Sequence, residues 1–113
     1  MPLMEPAGRV ATIVATRLSA VADLCAKHRV KRLALFGSGA TDQFNAEKDS
    51  DLDFLVEFEP MSPRDHAQSY FGLMEDLQAL LAIPVDLVEE GASRNPYFQE
   101  AVRNTQVVLF EAA

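Results

Sequence analysis

Apolar and polar positions alternate along the chain in a way that predicts seven elements. Apolar residues recur at helical spacing over residues 7–28, which predicts an amphipathic helix. Residues 32–36 and 51–59 are short apolar runs typical of strands. In the second run, Leu52 and Phe54 share one face, and Asp51 and Asp53 share the other.

The second half of the chain carries clear helix-start signals. Ser62 can cap a helix, Pro63 suits its first position, and Pro84 ends the apolar periodicity that follows, to which Tyr70 and Phe71 belong. Three further elements are predicted after Pro84: a strand at 85–89, a short helix at 95–104 and a strand at 107–110.

The order α-β-β-α-β-α-β predicts a single domain over residues 1–113, of the α/β (α+β) class, with a small β-sheet flanked by helices. A mixed sheet is favoured over a purely parallel one. The strands at 32–36 and 51–59 follow one another without a clear helical crossover, which parallel neighbours would require.

Composition narrows the class of protein further. Of 113 residues, 49% are hydrophobic and 24% charged, which is typical of a soluble globular domain. The net charge of −7 disfavours direct binding of nucleic acid. Cys25 is the single cysteine, Glu5 and Arg9 interrupt any apolar leader, and no run is long enough for a membrane span. We therefore expect a cytoplasmic protein without a membrane association.

Gly37, Ser38 and Gly39 directly follow the strand at 32–36. A glycine-rich turn after a strand exposes backbone N–H groups that attract phosphates, and the Ser38 hydroxyl adds a donor. The alternative is a flexible turn without a ligand. The long connection to Ser50 favours a functional loop, because long loops in small domains often carry function.

Three acidic residues form a candidate metal site. Asp51 and Asp53 lie roughly 6–7 Å apart on one face of a strand, a separation that suits joint binding of one or two hard cations. Asp86 lies in the apolar strand 85–89 and completes a three-carboxylate cluster if that strand pairs beside 51–59. The alternative is that all three are ordinary surface acids.

Together these residues resemble the nucleotidyltransferase superfamily that includes DNA polymerase beta. The resemblance spans about residues 30–110 and is carried by Gly37-Ser38, Asp51-x-Asp53 and Asp86. The short chain and the ending "NPYFQEAVRNTQVVLFEA" are similar to the minimal nucleotidyltransferase (MNT) antitoxins, which are encoded beside a HEPN-domain ribonuclease toxin.

This resemblance implies a specific site and reaction. Gly37 and Ser38 would hold the triphosphate of ATP, and Asp51 and Asp53 would bind two Mg²⁺ ions. Asp86 would be the third acid, at the metal site and helping to activate the acceptor hydroxyl. The reaction would be adenylylation (AMPylation) of a partner protein, the cognate HEPN-type toxin, because so short a chain leaves no room for a domain that holds an acceptor.

One position departs from the family pattern. The family commonly reads Gly-Ser-x-Ala-Arg-Gly, and Thr41 and Asp42 stand at the last two positions here. Lys48 is a candidate replacement for the missing cation. Two alternatives therefore stay open: an antitoxin that neutralises its partner by binding alone, and a small-molecule nucleotidyltransferase that works with a separate binding subunit.

Overall fold

One mixed sheet organises the domain. The structure, a computed structural model, describes residues 11–40 and 51–112. Its strands are β1 (Val30–Phe36), β2 (Leu52–Phe58), β3 (Val85–Glu89) and β4 (Val107–Glu111), in the sheet order β3-β2-β1-β4. β2 and β3 run parallel, whereas β1 is antiparallel to both β2 and β4. The predicted mixed sheet is confirmed.

The helices are α1 (Thr12–Ala15), α2 (Leu18–Lys27), α3 (Pro63–Leu81) and α4 (Pro96–Thr105), and a 3₁₀ turn spans Gly37–Ala40. The predicted caps are present. Ser62 Oγ accepts the Asp65 N–H at 3.2 Å, and the Asn95 side chain accepts from the first turn of α4. Within the two described ranges, no helix is both long enough and apolar enough to cross a membrane.

The single helix predicted for residues 7–28 is wrong in one respect. The helix is interrupted at Thr16 and Arg17, between α1 and α2. The Thr16 hydroxyl donates to the Thr12 carbonyl at 3.0 Å, and the Arg17 N–H turns back to the Val14 carbonyl at 2.9 Å. Such local bonds of threonine compete with helix continuation. Residues 7–10 lie outside the described part of the chain.

The main core lies between one face of the sheet and helices α2 and α3. The buried stripe of α3 consists of Ser69, Leu73, Leu77 and Leu81. Phe71, which the sequence places in the apolar periodicity, is 59% exposed. It lies two residues from both Ser69 and Leu73, about 200° around the helix, and so points away from the stripe.

A second, smaller core lies on the opposite face of the sheet. Ala34, Phe36, Leu55 and Val102 are buried there, with Phe98 packed against them. The rings of Phe36 and Phe98 meet edge to face, with centroids 5.4 Å apart. Helix α4 therefore covers part of the face that also carries Asp53.

Gly72 of α3 leaves room for His28 at the end of α2. A Cβ atom at Gly72 would lie 2.7 Å from His28 Cε1, and His28 Nε2 is 2.7 Å from Asp76 Oδ2. We expect Gly72→Ala to lower the free energy of unfolding by about 1–3 kcal/mol through overpacking, measured by urea denaturation.

The matched control for this prediction is the same change in a His28→Ala background. There the clash is gone, and alanine should stabilise the helix by up to about 1 kcal/mol relative to glycine. If Gly72→Ala destabilises the wild-type and His28→Ala backgrounds equally, the new methyl group does not clash with the His28 ring, and the prediction is wrong.

Candidate active site

Phe36, Asp53 and Asp86 lie in one row across three neighbouring strands. Phe36 is the register partner of Asp53, and Asp53 is the register partner of Asp86 in the parallel pair of β2 and β3. Neighbouring strands lie about 4.8 Å apart, so the two carboxylates leave the same face of the sheet side by side. The strand of Asp86 therefore pairs beside the strand of Asp53, which is the condition that the candidate three-carboxylate cluster requires.

The glycine turn begins directly after Phe36. Gly37 adopts a φ of +74°, and a Cβ atom placed on it would lie 3.0 Å from Asp53 Oδ2. Both the backbone conformation and the space therefore require glycine. The consequence is that the turn after β1 packs against the carboxylate of Asp53.

The Gly37 N–H is already engaged within the protein. It donates to Thr105 Oγ1 at 2.9 Å. From the sequence, we expect this N–H to be among the donors that face a phosphate. Because Thr105 already accepts it, a phosphate bound at the turn would be held by N–H groups of the residues after Gly37. Thr105 is a site neighbour that the sequence does not reveal, because it lies 68 residues away in the chain.

Asp53 is the carboxylate with the most perturbed environment. Partial burial raises the pKa of Asp53 to about 6, and the charges of Asp86 and Asp51 add to this effect. Asp51 and Asp86 themselves are exposed. Asp53 therefore lies within electrostatic reach of both other acids of the candidate cluster.

The chemistry of these residues fits a divalent cation. Carboxylate oxygens are the ligands that Mg²⁺ prefers, and a cation beside Asp53 would offset the burial penalty and the repulsion that raise its pKa. Across residues 11–40 and 51–112, however, no three His, Cys, Asp or Glu side chains are placed so that they could hold a metal ion together. Joint ligation by Asp51, Asp53 and Asp86 stays a prediction.

Helix α3 supports β3 at the level of the site. The Tyr70 hydroxyl donates to the Leu87 carbonyl at 2.5 Å. Burial raises the pKa of Tyr70, and Asp86 contributes to the same shift. Tyr70 thus binds the backbone directly after Asp86 and lies within electrostatic reach of that carboxylate. From the sequence alone, Tyr70 is interpreted as part of the apolar face of its helix.

Several predicted features fall outside the part of the chain that the structure describes. The Ser38 side chain is one of them, although its backbone lies in the 3₁₀ turn. The positions that depart from the family pattern, Thr41 and Asp42, and the candidate cation Lys48 are the others.

This combination of strand order, glycine turn and paired aspartates matches a known class. Residues 19–109 match the family model described as "Nucleotidyltransferase domain". The chain therefore belongs to the nucleotidyltransferase family, as the sequence resemblance indicates.

Individual relatives make the class narrower. A Methanocaldococcus jannaschii protein named "Putative protein adenylyltransferase MJ0128" is 40% identical over 83 residues, which is 74% of this chain and 80% of the relative. A solved structure described as "Structure of putative minimal nucleotidyltransferase" is 35% identical. It has a TM-score of 0.60 and covers 88% of this chain and 95% of its own.

A solved structure of lower sequence identity shows the same fold. A chain from a complex of tri-AMPylated Shewanella oneidensis HEPN toxin with MNT antitoxin aligns with a TM-score of 0.57. The match is 17% identical and covers 86% of this chain and 71% of that one. These comparisons confirm the predicted nucleotidyltransferase fold.

Proposed function

We propose that the protein is a Mg²⁺-dependent nucleotidyltransferase that transfers AMP from ATP to a partner protein. The observation that carries this proposal is the row formed by Asp53 and Asp86, with the Gly37 turn packed against Asp53. It brings a phosphate-type turn and paired carboxylates to one place. Phosphoryl and nucleotidyl transfer depend on carboxylates that bind metal ions and on nearby N–H groups that hold the phosphates.

The residues of the chain would divide the reaction among them. The backbone of the turn that follows Gly37, together with Ser38, would hold the phosphates of ATP. Asp51, Asp53 and Asp86 would hold two Mg²⁺ ions, which when bound neutralise phosphate charge and align the attacking and leaving oxygens. Asp86 would also orient the acceptor hydroxyl and help remove its proton as the new O–P bond forms at the α-phosphorus and pyrophosphate leaves.

The proposed acceptor is a HEPN-domain ribonuclease toxin, so that the protein acts as an antitoxin in the cytoplasm. The relatives support this part of the proposal: one is named as a protein adenylyltransferase, and another is found with an AMPylated HEPN toxin. Three large apolar side chains, Phe71, Tyr97 and Val108, are exposed on separate elements and available for contact.

The second candidate is an antitoxin that neutralises its partner by binding alone. Thr41 in place of the family arginine favours it, because a cation near the phosphates would be missing. The two functions differ in whether the partner acquires a covalent AMP group.

The test is to incubate the full chain with the product of its neighbouring gene, ATP and Mg²⁺, and then to weigh that product by intact mass spectrometry. We expect an AMP-sized adduct with the wild-type protein and none with Asp51→Asn plus Asp53→Asn. Glu57→Gln is the matched control, because Glu57 lies on the same strand and face and is likewise half-buried, but pairs with Lys31 instead of facing the other two acids.

Two results would overturn the proposal. A stable complex without any adduct would replace catalysis by binding alone. An adduct of equal yield with the double aspartate variant would show that the reaction does not depend on these carboxylates.

A further inference from the structure

A single threonine connects the end of helix α4 to the glycine turn. Thr105 Oγ1 accepts the Gly37 N–H at 2.9 Å and donates its own proton to the Ala101 carbonyl at 2.7 Å. A hydroxyl has one proton and two lone pairs, so both bonds form at once without competing. The bond to the Ala101 carbonyl also fixes the rotation of the hydroxyl, so that a lone pair of Oγ1 points at the Gly37 N–H.

The turn needs this contact because the chain leaves the sheet at Gly37. Phe36 is the last residue of β1 in register with β2, and Gly37 follows with a φ of +74°. Its Cα lies so close to Asp53 that an added Cβ would be 3.0 Å from the carboxylate. A small movement of Gly37 would therefore change the distance between the turn and Asp53.

Helix α4 is itself fixed to the sheet, so that Thr105 is a firm support. Next to Thr105, the Gln106 side chain accepts from Arg32 of β1 at 3.1 Å, and the Gln106 N–H donates to the Val102 carbonyl at 2.7 Å. At the other end of the helix, Phe98 packs against Phe36. Helix α4 and the residue after it thus contact β1 at two points, at Arg32 and at Phe36, and Phe36 directly precedes the turn.

We propose that Thr105 is a positioning residue of the nucleotide site. Its hydroxyl holds the Gly37 turn at the position where it meets Asp53, and through the turn it sets the affinity for the phosphates of the nucleotide. Thr105 itself does not contact the nucleotide in this proposal. The proposal rests on the proposed function, because it needs a nucleotide to be bound there.

The test compares Thr105→Val, which removes the hydroxyl at similar volume, with Thr105→Ser, which keeps it. We expect Thr105→Val to weaken Mg²⁺–AMP-PNP binding about 10-fold by calorimetry, since a hydrogen bond is lost and a donor left unpaired. In the transfer assay the KM for ATP should rise by a similar factor and kcat should change less than about threefold. Thr105→Ser should stay within about twofold of wild type on every measure.

Thr16→Val is the matched control. Thr16 directly follows α1, and its hydroxyl donates in the same way to the carbonyl four residues earlier, at 3.0 Å. It therefore reports the loss of a helix-terminal hydroxyl without the bond to Gly37. Nucleotide affinity should not change in this variant.

Hydrogen exchange of the Gly37 amide, followed by NMR without nucleotide, separates the two proposals. We expect the amide to be protected in wild type and Thr105→Ser and to exchange faster in Thr105→Val and Thr105→Ala. If wild type binds no AMP-PNP while this pattern holds, the proposed function fails and the role of Thr105 in nucleotide affinity falls with it. If wild type binds AMP-PNP and Thr105→Val or Thr105→Ala binds it equally well, the positioning role alone is overturned.

Discussion

Asp53→Asn is expected to raise the melting temperature at pH 7.5 while reducing AMP transfer at least about 100-fold. The loss in activity follows from removing a proposed metal ligand, since even partners that only orient a ligand contribute 10–100-fold. The gain in stability follows from the pKa of Asp53, which burial, Asp86 and Asp51 raise from 3.8 to about 6. At pH 7.5 the folded protein must hold this carboxylate ionised in an environment that favours the protonated form.

The sign of the pH dependence follows from the same shift. Because the folded pKa lies above the unfolded one, the penalty is full above about pH 6 and fades between pH 6 and 3.8. A rise of the pKa from 3.8 to about 6 corresponds to a free-energy penalty of about 3 kcal/mol at most, and solvent screening at this partly exposed group reduces it to about 1–2 kcal/mol. The advantage of Asp53→Asn over wild type should therefore shrink as pH falls towards 4.

Thermal unfolding at several pH values, with and without Mg²⁺, measures this prediction. Mg²⁺ should raise the melting temperature of wild type and have little effect on Asp53→Asn. Glu57→Gln serves again as the control and should shift stability by less than about 0.5 kcal/mol at any pH. A melting temperature lower for Asp53→Asn than for wild type at pH 7.5 would contradict the conclusion that the ionised Asp53 carboxylate destabilises the fold.

Gly37→Ala is expected to reduce AMP transfer at least about 10-fold and to destabilise the fold. An alanine at φ +74° costs about 1–2 kcal/mol in backbone strain. Its Cβ would also lie 3.0 Å from Asp53 Oδ2, so the turn or the carboxylate has to move. Either movement disturbs the contact between the glycine turn and Asp53, the proposed metal ligand.

Gly91→Ala separates these two effects. Gly91 has a φ of +87° and no atom within 4 Å of an added Cβ, so this variant carries the strain without the contact. It should lose stability by the same 1–2 kcal/mol and keep transfer within about twofold of wild type. If the two variants lose transfer equally, the contact with Asp53 has no role in the reaction.

Strand and helix positions follow from the sequence where local chemistry decides them. Ser62 and Asn95 cap their helices as the prolines after them indicate. Asp86 is exposed beside Asp53, in agreement with the expectation that an acid in an apolar strand needs an open face or a partner. Local patterns and the chemistry of burial thus predict the strands and the acidic half of the site.

The remaining features depend on tertiary contacts that a sequence does not display. Leu55 shares a face with Asp53, which suggests a solvent-exposed position, yet it is buried because α4 packs over it. Thr105 has no motif around it, and only the folded chain brings it to Gly37. The break at Thr16 depends on a side-chain bond that competes with the helix, which apolar periodicity cannot indicate.

The bond from Tyr70 to Leu87 has a consequence for the register of β3. Side chains alternate between the faces of a strand, so a slip of β3 by one residue would send Asp86 into the apolar core and Leu87 towards the candidate site. Among the strands of residues 11–40 and 51–112, β3 lies at the edge of the sheet and pairs with β2 alone, and the Tyr70 hydroxyl at 2.5 Å is a second contact that fixes its alignment. Tyr70 lies on a helix that carries none of the three candidate acids, yet its hydroxyl supports the alignment on which the pairing of Asp53 with Asp86 depends.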